Sequence, residues 1–391
     1  MQKVKFGIVG IGNMGTAHCK SLLEGKVANA ELRAICEPKK AKADAILSLA
    51  GDRNVVAFED YTQMLNSGLI DAVIVAVPPY DHKDLVCQAL EAGLHVICEK
   101  PAGVYTKQVK EMNEAAARSG KLFGMMFNQR SNCIYRKMQE MVSGGELGDI
   151  KRVNWIITNW YRSQNYFDLG GWRATWRGEG GGVLFNQCPH QIDLLQWIVG
   201  MLPTKIHAYC HFGKWHDIEV EDDVTAYMEF PNGATGVFVT STADAPGTNR
   251  FEITGTRGRL VCENGRLIFD KLAIDEREFC RAAKAFVDPE YTTFEVPTDG
   301  RNDQHVGILN NFANAILGLE PLFVKGEEGI QSVQMMNAML LSQWLGRAVE
   351  LPIDDDLYLE ELNRRIAEST RVQKYTSDVV MDISASYGGV Q

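Results

Sequence analysis

No stretch of this 391-residue chain is apolar for the length that a membrane-spanning helix needs. Basic residues are in deficit as well: 40 Lys and Arg stand against 50 Asp and Glu, a formal net charge of −10. The first absence argues against a membrane partner. The second argues against nucleic acid, because gripping phosphates requires a basic face. No CxxC pair and no His/Cys cluster occurs, so no metal site is expected. The nine cysteines are scattered, several in apolar strand-like segments (Cys36, Cys98, Cys262). An odd count without a framework reads as reduced thiols in a cytoplasmic protein. The chain enters an apolar strand almost at once, and no signal peptide is expected. Internal repeats and low-complexity tracts are absent.

What is present begins at residue 4. An apolar strand (Val4, Phe6, Ile8, Val9) runs into Gly10-x-Gly12-x-x-Gly15, and a helix-like segment with Ala17, Cys19, Leu22 and Leu23 follows. Strand, glycine turn and helix in that order form the dinucleotide fingerprint. Gly10 permits the tight turn, Gly12 lets backbone approach a pyrophosphate, and Gly15 lets helix and strand pack closely. Asn13 and Met14 open the helix whose N–H groups meet the phosphate. A second strand ends at Glu37, about 20 residues further on, where an acid binds the ribose hydroxyls. A carboxylate there repels a 2′-phosphate, so NAD is expected over NADP. Lys39 and Lys40 follow at once and keep NADP open.

The first third alternates strands and helices. Helical stretches are expected over 40–49, 61–65, 84–92 and 107–119, and strands over 72–77, 95–98 and 122–127. The uninterrupted apolar run before Pro78 suits a strand covered on both faces. This pattern predicts an α/β Rossmann domain, a doubly wound parallel sheet with ligands at the carboxyl ends of its strands. Beyond about residue 127, longer alternating strands are expected over 151–161, 205–212, 224–230, 235–241, 250–254 and 259–263. Helices are expected over 134–141, 187–199, 310–317 and 329–345. That predicts an α+β C-terminal domain with a large, mainly antiparallel open sheet. The expected division is 1–126 for the nucleotide domain, 127–353 for the substrate-binding and oligomerisation domain, and 354–391 for a C-terminal extension. The extension has a helix-like stretch over 357–368 and a polar end, either an arm for a neighbouring subunit or a frayed terminus.

Three clusters carry chemistry: Val77-Pro78-Pro79-Tyr80-Asp81-His82, Glu99-Lys100-Pro101, and the block from Gly180 to Leu194, which holds Asn186, His190 and Asp193. Together with Trp172-Arg173 and Gly326-Glu327-Glu328-Gly329, they resemble the Gfo/Idh/MocA family of glucose-fructose oxidoreductases and inositol dehydrogenases. The likeness runs from the N-terminus to about residue 352. It implies NAD(P)-dependent redox chemistry on sugars or cyclitols. It also implies association through the exposed face of the C-terminal sheet, as a dimer or tetramer.

Within that resemblance, Lys100 and His190 flank the reacting carbon. The Lys100 ammonium stabilises charge developing on the hydroxyl oxygen, and His190 has the chemistry of a general base near neutral pH. Pro101 orients the lysine turn. Val77, Pro78, His82, Glu99 and Asn128 are expected beside the cofactor. Arg130, Tyr166, Trp172, Arg173, Asn186 and His190 are expected at the substrate, since sugar rings offer apolar faces and many hydroxyls. Trp176 reads equally as core, and Asn302 and His305 are weaker candidates for the same pocket. One residue departs from the family pattern: Asn186 stands where many relatives carry aspartate. An amide cannot act as a base, so His190 works with Lys100 alone or with another carboxylate, Asp193 or Glu179. The expected activity is hydride transfer from a ring hydroxyl to NAD. The alternatives are an NAD-retaining, redox-assisted glycosidase or lyase, and a non-catalytic NAD-binding sensor.

Overall fold

The computed structural model describes residues 3–169 and 171–371. They form two compact units: residues up to Ser131 with Asp303–Val333, and Asn132–Asn302 with the described residues from Gln334 onward.

In the first unit, six strands run β1 (Val4–Val9), β2 (Ala30–Cys36), β3 (Val56–Phe58), β4 (Ala72–Val75), β5 (His95–Cys98) and β6 (Phe123–Met125). Their order in the sheet is β3-β2-β1-β4-β5-β6. Every pairing is parallel. The expected doubly wound sheet is present, and β4 (Ala-Val-Ile-Val) is buried along its whole length, as its unbroken apolar run required. The helix Asn13–Leu23 buries a stripe of Gly15, His18, Cys19, Leu22 and Leu23, the spacing of one helical face. A later helix, Gln304–Ile316, belongs to this unit. Its Phe312 ring lies 6.2 Å from that of Phe6 on β1, so a segment far along the chain completes the N-terminal core.

The second unit is built on nine strands: β7 (Ile150–Ile157), β8 (Lys205–Phe212), β9 (Glu221–Glu229), β10 (Thr235–Ser241), β11 (Asn249–Gly255), β12 (Gly258–Glu263), β13 (Arg266–Leu272), β14 (Tyr291–Glu295) and β15 (Val349–Glu350). Their order is β14-β13-β12-β11-β7-β10-β9-β8-β15. Only the β10–β7 pair is parallel. Alternation sets the two faces apart: on β9, Val224, Ala226 and Met228 are buried while Tyr227 is exposed. Trp155 sits at the centre of the covered face. It is fully buried and stacked on Phe251 at 4.1 Å, with Phe238 edge-on. Strands β13 to β15 were not anticipated. All five residues of β14 are exposed, so this edge strand has no apolar alternation to read, and β15 has only two residues.

The C-terminal extension begins as a helix, Asp355–Glu368, capped by the Asp354 side chain on the Asp356 and Leu357 N–H groups. Tyr358 and Leu362 are buried, and the Tyr358 ring stacks on Trp344 at 5.3 Å. The polar end expected for the tail lies outside the described residues. No helix among the described residues is long and apolar enough to cross a membrane.

Removing the Trp155 side chain leaves a large void in a close-packed centre. Trp155→Ala is expected to destabilise the second unit by about 3–5 kcal/mol, read as a lower denaturant midpoint.

Candidate functional site

In the first unit, the carboxyl ends of parallel neighbours lie along one edge of the sheet. In spatial order these ends carry Glu37 (β2), Gly10 (β1), Val77 and Pro78 (β4), Glu99 and Lys100 (β5), and Asn128 (β6). The strand order reverses between β1 and β4, which is where such sheets take a dinucleotide. Gly10 has φ +88°, and a Cβ on it would fall 2.6 Å from the Ala76 carbonyl. A Cβ on Gly15 would lie 1.9 Å from the Gly10 carbonyl. A Cβ on Gly12 would meet nothing within 4 Å. Gly12 is also the N-cap of the helix and has no side chain to cap it. The turn is therefore tight where it packs on protein and open where a pyrophosphate would meet the positive helix end.

Glu37 is buried and already engaged: Oε2 accepts the Ile11 N–H at 2.9 Å, and Oε1 accepts the Lys39 N–H at 3.0 Å. Each oxygen keeps lone-pair capacity for a ribose hydroxyl. Glycine turn, helix start and acid together fit a dinucleotide.

Lys100 is half-buried at the end of β5, and the Lys100–Pro101 bond is cis. The Glu99 side chain, expected beside the cofactor, accepts the Lys100 N–H at 3.2 Å and bonds His18 Nε2 at 2.7 Å. The His305 ring stands edge-on to His18 at 5.6 Å. Burial pushes the Glu99 carboxyl up, but the His18 hydrogen bond and the charges of His18, His305 and Lys100 prevail and hold it at about 2. Burial drives His305 down to about 4. His18 was missed in the sequence, although a histidine in an otherwise apolar helical stripe must find a buried partner. His82 is fully buried, with one ring nitrogen 2.9 Å from the Pro101 carbonyl and the other 2.9 Å from the Val77 carbonyl. It ties the β4 turn to the lysine turn. Asn128 donates to Gln304 Oε1, which also accepts from Gln129 Nε2 at 3.0 Å. Arg130, expected at the substrate, is buried and paired with Glu328.

In the second unit, the block from Gly180 forms two short helices, Val183–Asn186 and Pro189–Val199. His190 sits in the first turn of the second and is buried. The break at residues 187–188 was not anticipated; Pro189 starts the second helix because its missing N–H costs nothing there. Asn186 is brought together with Tyr166: Tyr166 Oη donates to Asn186 Oδ1 at 2.9 Å, and Gln187 Nε2 donates to the same oxygen at 3.0 Å. Asn186 Nδ2 donates to the buried Glu179. The Arg173 guanidinium lies over the rings of Tyr166 and Trp172, at 5.1 and 5.0 Å. Asp193 accepts from Gln196 Nε2 at 3.2 Å. Trp176 packs against Phe212 and Trp344, a core arrangement.

Glu221 lies beneath this block and was not singled out from the sequence. It is fully buried, and one oxygen accepts the Gly182 and Leu184 N–H groups at 2.7 and 3.1 Å. Burial, with the Glu179 charge adding to it, raises its carboxyl to about 8 against the lowering effect of these bonds.

Residues 4–127 match the family model for the oxidoreductase family with an NAD-binding Rossmann fold, and residues 135–261 match the GFO/IDH/MocA C-terminal domain. The first unit is an NAD-binding Rossmann domain, and the protein is an oxidoreductase. The chain belongs to the Gfo/Idh/MocA family. It is 26% identical over 341 residues to the D-glucoside 3-dehydrogenase of Escherichia coli, covering 82% of this chain and 90% of that one. It is 24% identical to the myo-inositol 2-dehydrogenase of Thermotoga maritima, over 89% of this chain and 98% of that one. The WlbA dehydrogenase of Bordetella pertussis, solved with NADH and UDP-GlcNAcA, superposes with a TM-score of 0.75 at 26% identity, over 90% of this chain and all of that one.

Glu221 generates a pH prediction. Its folded pKa stands above its unfolded value of 4.5, so its contribution to stability is full below 4.5 and is lost as pH rises through about 8. The loss amounts to at most about 1.4 kcal/mol per pH unit for one proton. Denaturation of Glu221→Gln between pH 5 and 8 is expected to show a flatter stability profile than the natural protein.

Proposed function

We propose that this protein oxidises a ring secondary hydroxyl of a sugar, glycoside or inositol with NAD. The observation that carries this reading is the position of Lys100 on the same sheet edge as the open glycine turn, two strands from β1. When bound, NAD supplies the hydride acceptor. Gly10, Gly12, Asn13, Met14, Gly15 and Glu37 hold it. The Lys100 ammonium hydrogen-bonds the reacting hydroxyl and stabilises the negative charge that grows on its oxygen as the proton leaves. His190 takes that proton at an imidazole nitrogen. The family resemblance supports bringing these two residues to one carbon.

Asn186 and Tyr166 present amide and phenol groups to ring hydroxyls, while Arg173 and Trp172 supply a flat cationic and aromatic surface. Glu179, bound to Asn186, supplies the negative charge that the family aspartate provides elsewhere. Sugar-type and cyclitol substrates of the relatives point to the same class.

The uncharged Asn186 also favours a second reading, in which NAD stays bound and is reduced only transiently during cleavage of a glycosidic bond. Exposed Ile156, Tyr209 and Tyr227 on the open sheet face support a homo-oligomer, dimer or tetramer. Cysteines buried in the apolar interior, such as Cys19, Cys98 and Cys262, support a cytoplasmic location.

A panel of sugars, glycosides and inositols assayed with NAD is expected to give one NADH per substrate oxidised. Turnover without net NADH selects the second reading. Lys100→Met is expected to lower kcat by about 10²- to 10⁴-fold while NAD affinity stays within about threefold. Near-normal NADH formation by this variant would sink the mechanism.

A further inference from the structure

Ser369 and Arg371, just beyond the helix of the C-terminal extension, close a ring of hydrogen bonds around the residues read above as sugar-binding. Beyond the helix Asp355–Glu368, Ser369 Oγ donates to Glu219 Oε2 and the Arg371 N–H donates to Glu219 Oε1, both at 2.6 Å. The Glu219 N–H in turn donates to the Ala174 carbonyl at 3.2 Å. Ala174 has φ +63°, a left-handed conformation that an alanine adopts only when its surroundings impose it. On its other side, the Ala174 N–H donates to Glu179 Oε2 at 2.8 Å, and the second oxygen of Glu179 takes Asn186. Asn186 accepts from Tyr166 Oη at 2.9 Å, and Tyr166 lies on the helix Gln164–Asp168. The ring closes there: Arg371 Nη2 donates to Asp168 Oδ1 at 2.9 Å, beside Gln164 Nε2 on the same oxygen at 3.0 Å.

The Arg371–Asp168 pair is mostly shielded from water, with side chains 11% and 13% exposed. A shielded charge pair of this kind holds geometry better than a surface pair does. Arg371 and Ser369 thus grip both flanks of Arg173: the helix that bears Tyr166, and, through Glu219, the strained backbone of Ala174.

We propose that Arg371 is a positioning residue for substrate recognition, with the C-terminal extension acting as a clamp that fixes Tyr166 and Arg173 in place. The inference rests on the reading of Tyr166, Arg173 and Asn186 as the sugar-binding group. Without the clamp the left-handed Ala174 relaxes, Arg173 swings, and the hydroxyl-binding groups lose their preset spacing. Ground-state binding suffers more than the hydride step, because neither Lys100 nor His190 is part of the ring.

The test compares the unaltered protein with Arg371→Ala, Arg371→Lys and a chain ending after Glu368. Hydrogen exchange of peptides covering 161–169 and 171–176 is expected to accelerate in Arg371→Ala and in the shortened chain. Over the same variants, KM for the oxidised sugar or inositol rises roughly five- to thirtyfold, the effect of one or two kcal/mol, while kcat and NAD affinity change less than about twofold. Arg371→Lys keeps the charge and the backbone bond and falls between. Unchanged exchange in these peptides overturns the clamp, whatever the kinetics. Faster exchange with unchanged KM overturns the recognition role. If the natural protein oxidises no sugar or inositol at all, the proposed function fails, and the exchange data still decide whether the clamp exists.

Discussion

A carboxylate taken out of water must recover its lost hydration through hydrogen bonds from the protein. In this protein buried acids do so largely with backbone N–H groups of the loops that matter. Glu37 accepts from Ile11 and Lys39, and so holds the glycine turn. Glu99 accepts from Lys100, Glu179 from Ala174, and Glu221 from Gly182 and Leu184. Asp222 repeats the device on Lys214, Trp215 and His216. The segments anchored by Glu37, Glu99, Glu179 and Glu221 carry or adjoin candidate functional side chains. Removing such an acid leaves orphaned N–H groups, whereas removing a surface charge does not.

The acids differ in what balances them, and the difference suits their places. Glu99 has His18 beside it and Lys100 nearby, and its carboxyl is held low, at about 2. A negative charge there, hydrogen-bonded to the Lys100 N–H, holds the lysine turn. Glu221 has only backbone donors and a neighbouring acid, Glu179, and is pushed to about 8. It serves as a neutral support. Asn186 stands next to Glu179 and spares the site a further negative charge in an already acidic neighbourhood. That gives a physical reason for an amide where many relatives have an aspartate.

The Rossmann half was legible because its signals are local: the glycine turn, Glu37 at a strand end, the apolar run of β4, and Pro78 and Pro101 as stops. The antiparallel half was legible over β7 to β12, as on β9 and β10, but β13 was missed although Leu267 and Phe269 alternate inward there. It failed at β14, whose residues all face solvent, and at β15, which is too short for a pattern. The return of the helix Gln304–Ile316 to the N-terminal unit depends on contacts such as Phe312 with Phe6, which lie more than 300 positions apart and leave no local trace. The candidate residues were legible as types and positions, but their partners were not. Nothing near Arg130 announces Glu328, and nothing near Glu99 announces His18 or His305. The acid Glu221 looks like an ordinary charge until its burial is known.

In the proposed reaction a ring carbinol carbon would deliver its hydrogen to bound NAD. Incubating the protein and NAD with sugars, glycosides and inositols deuterated at their ring carbons, and then taking the mass of the cofactor, tests it directly. Accumulated reduced cofactor carrying one deuterium from the substrate is the predicted result. A substrate that is consumed while the cofactor never acquires deuterium would contradict it.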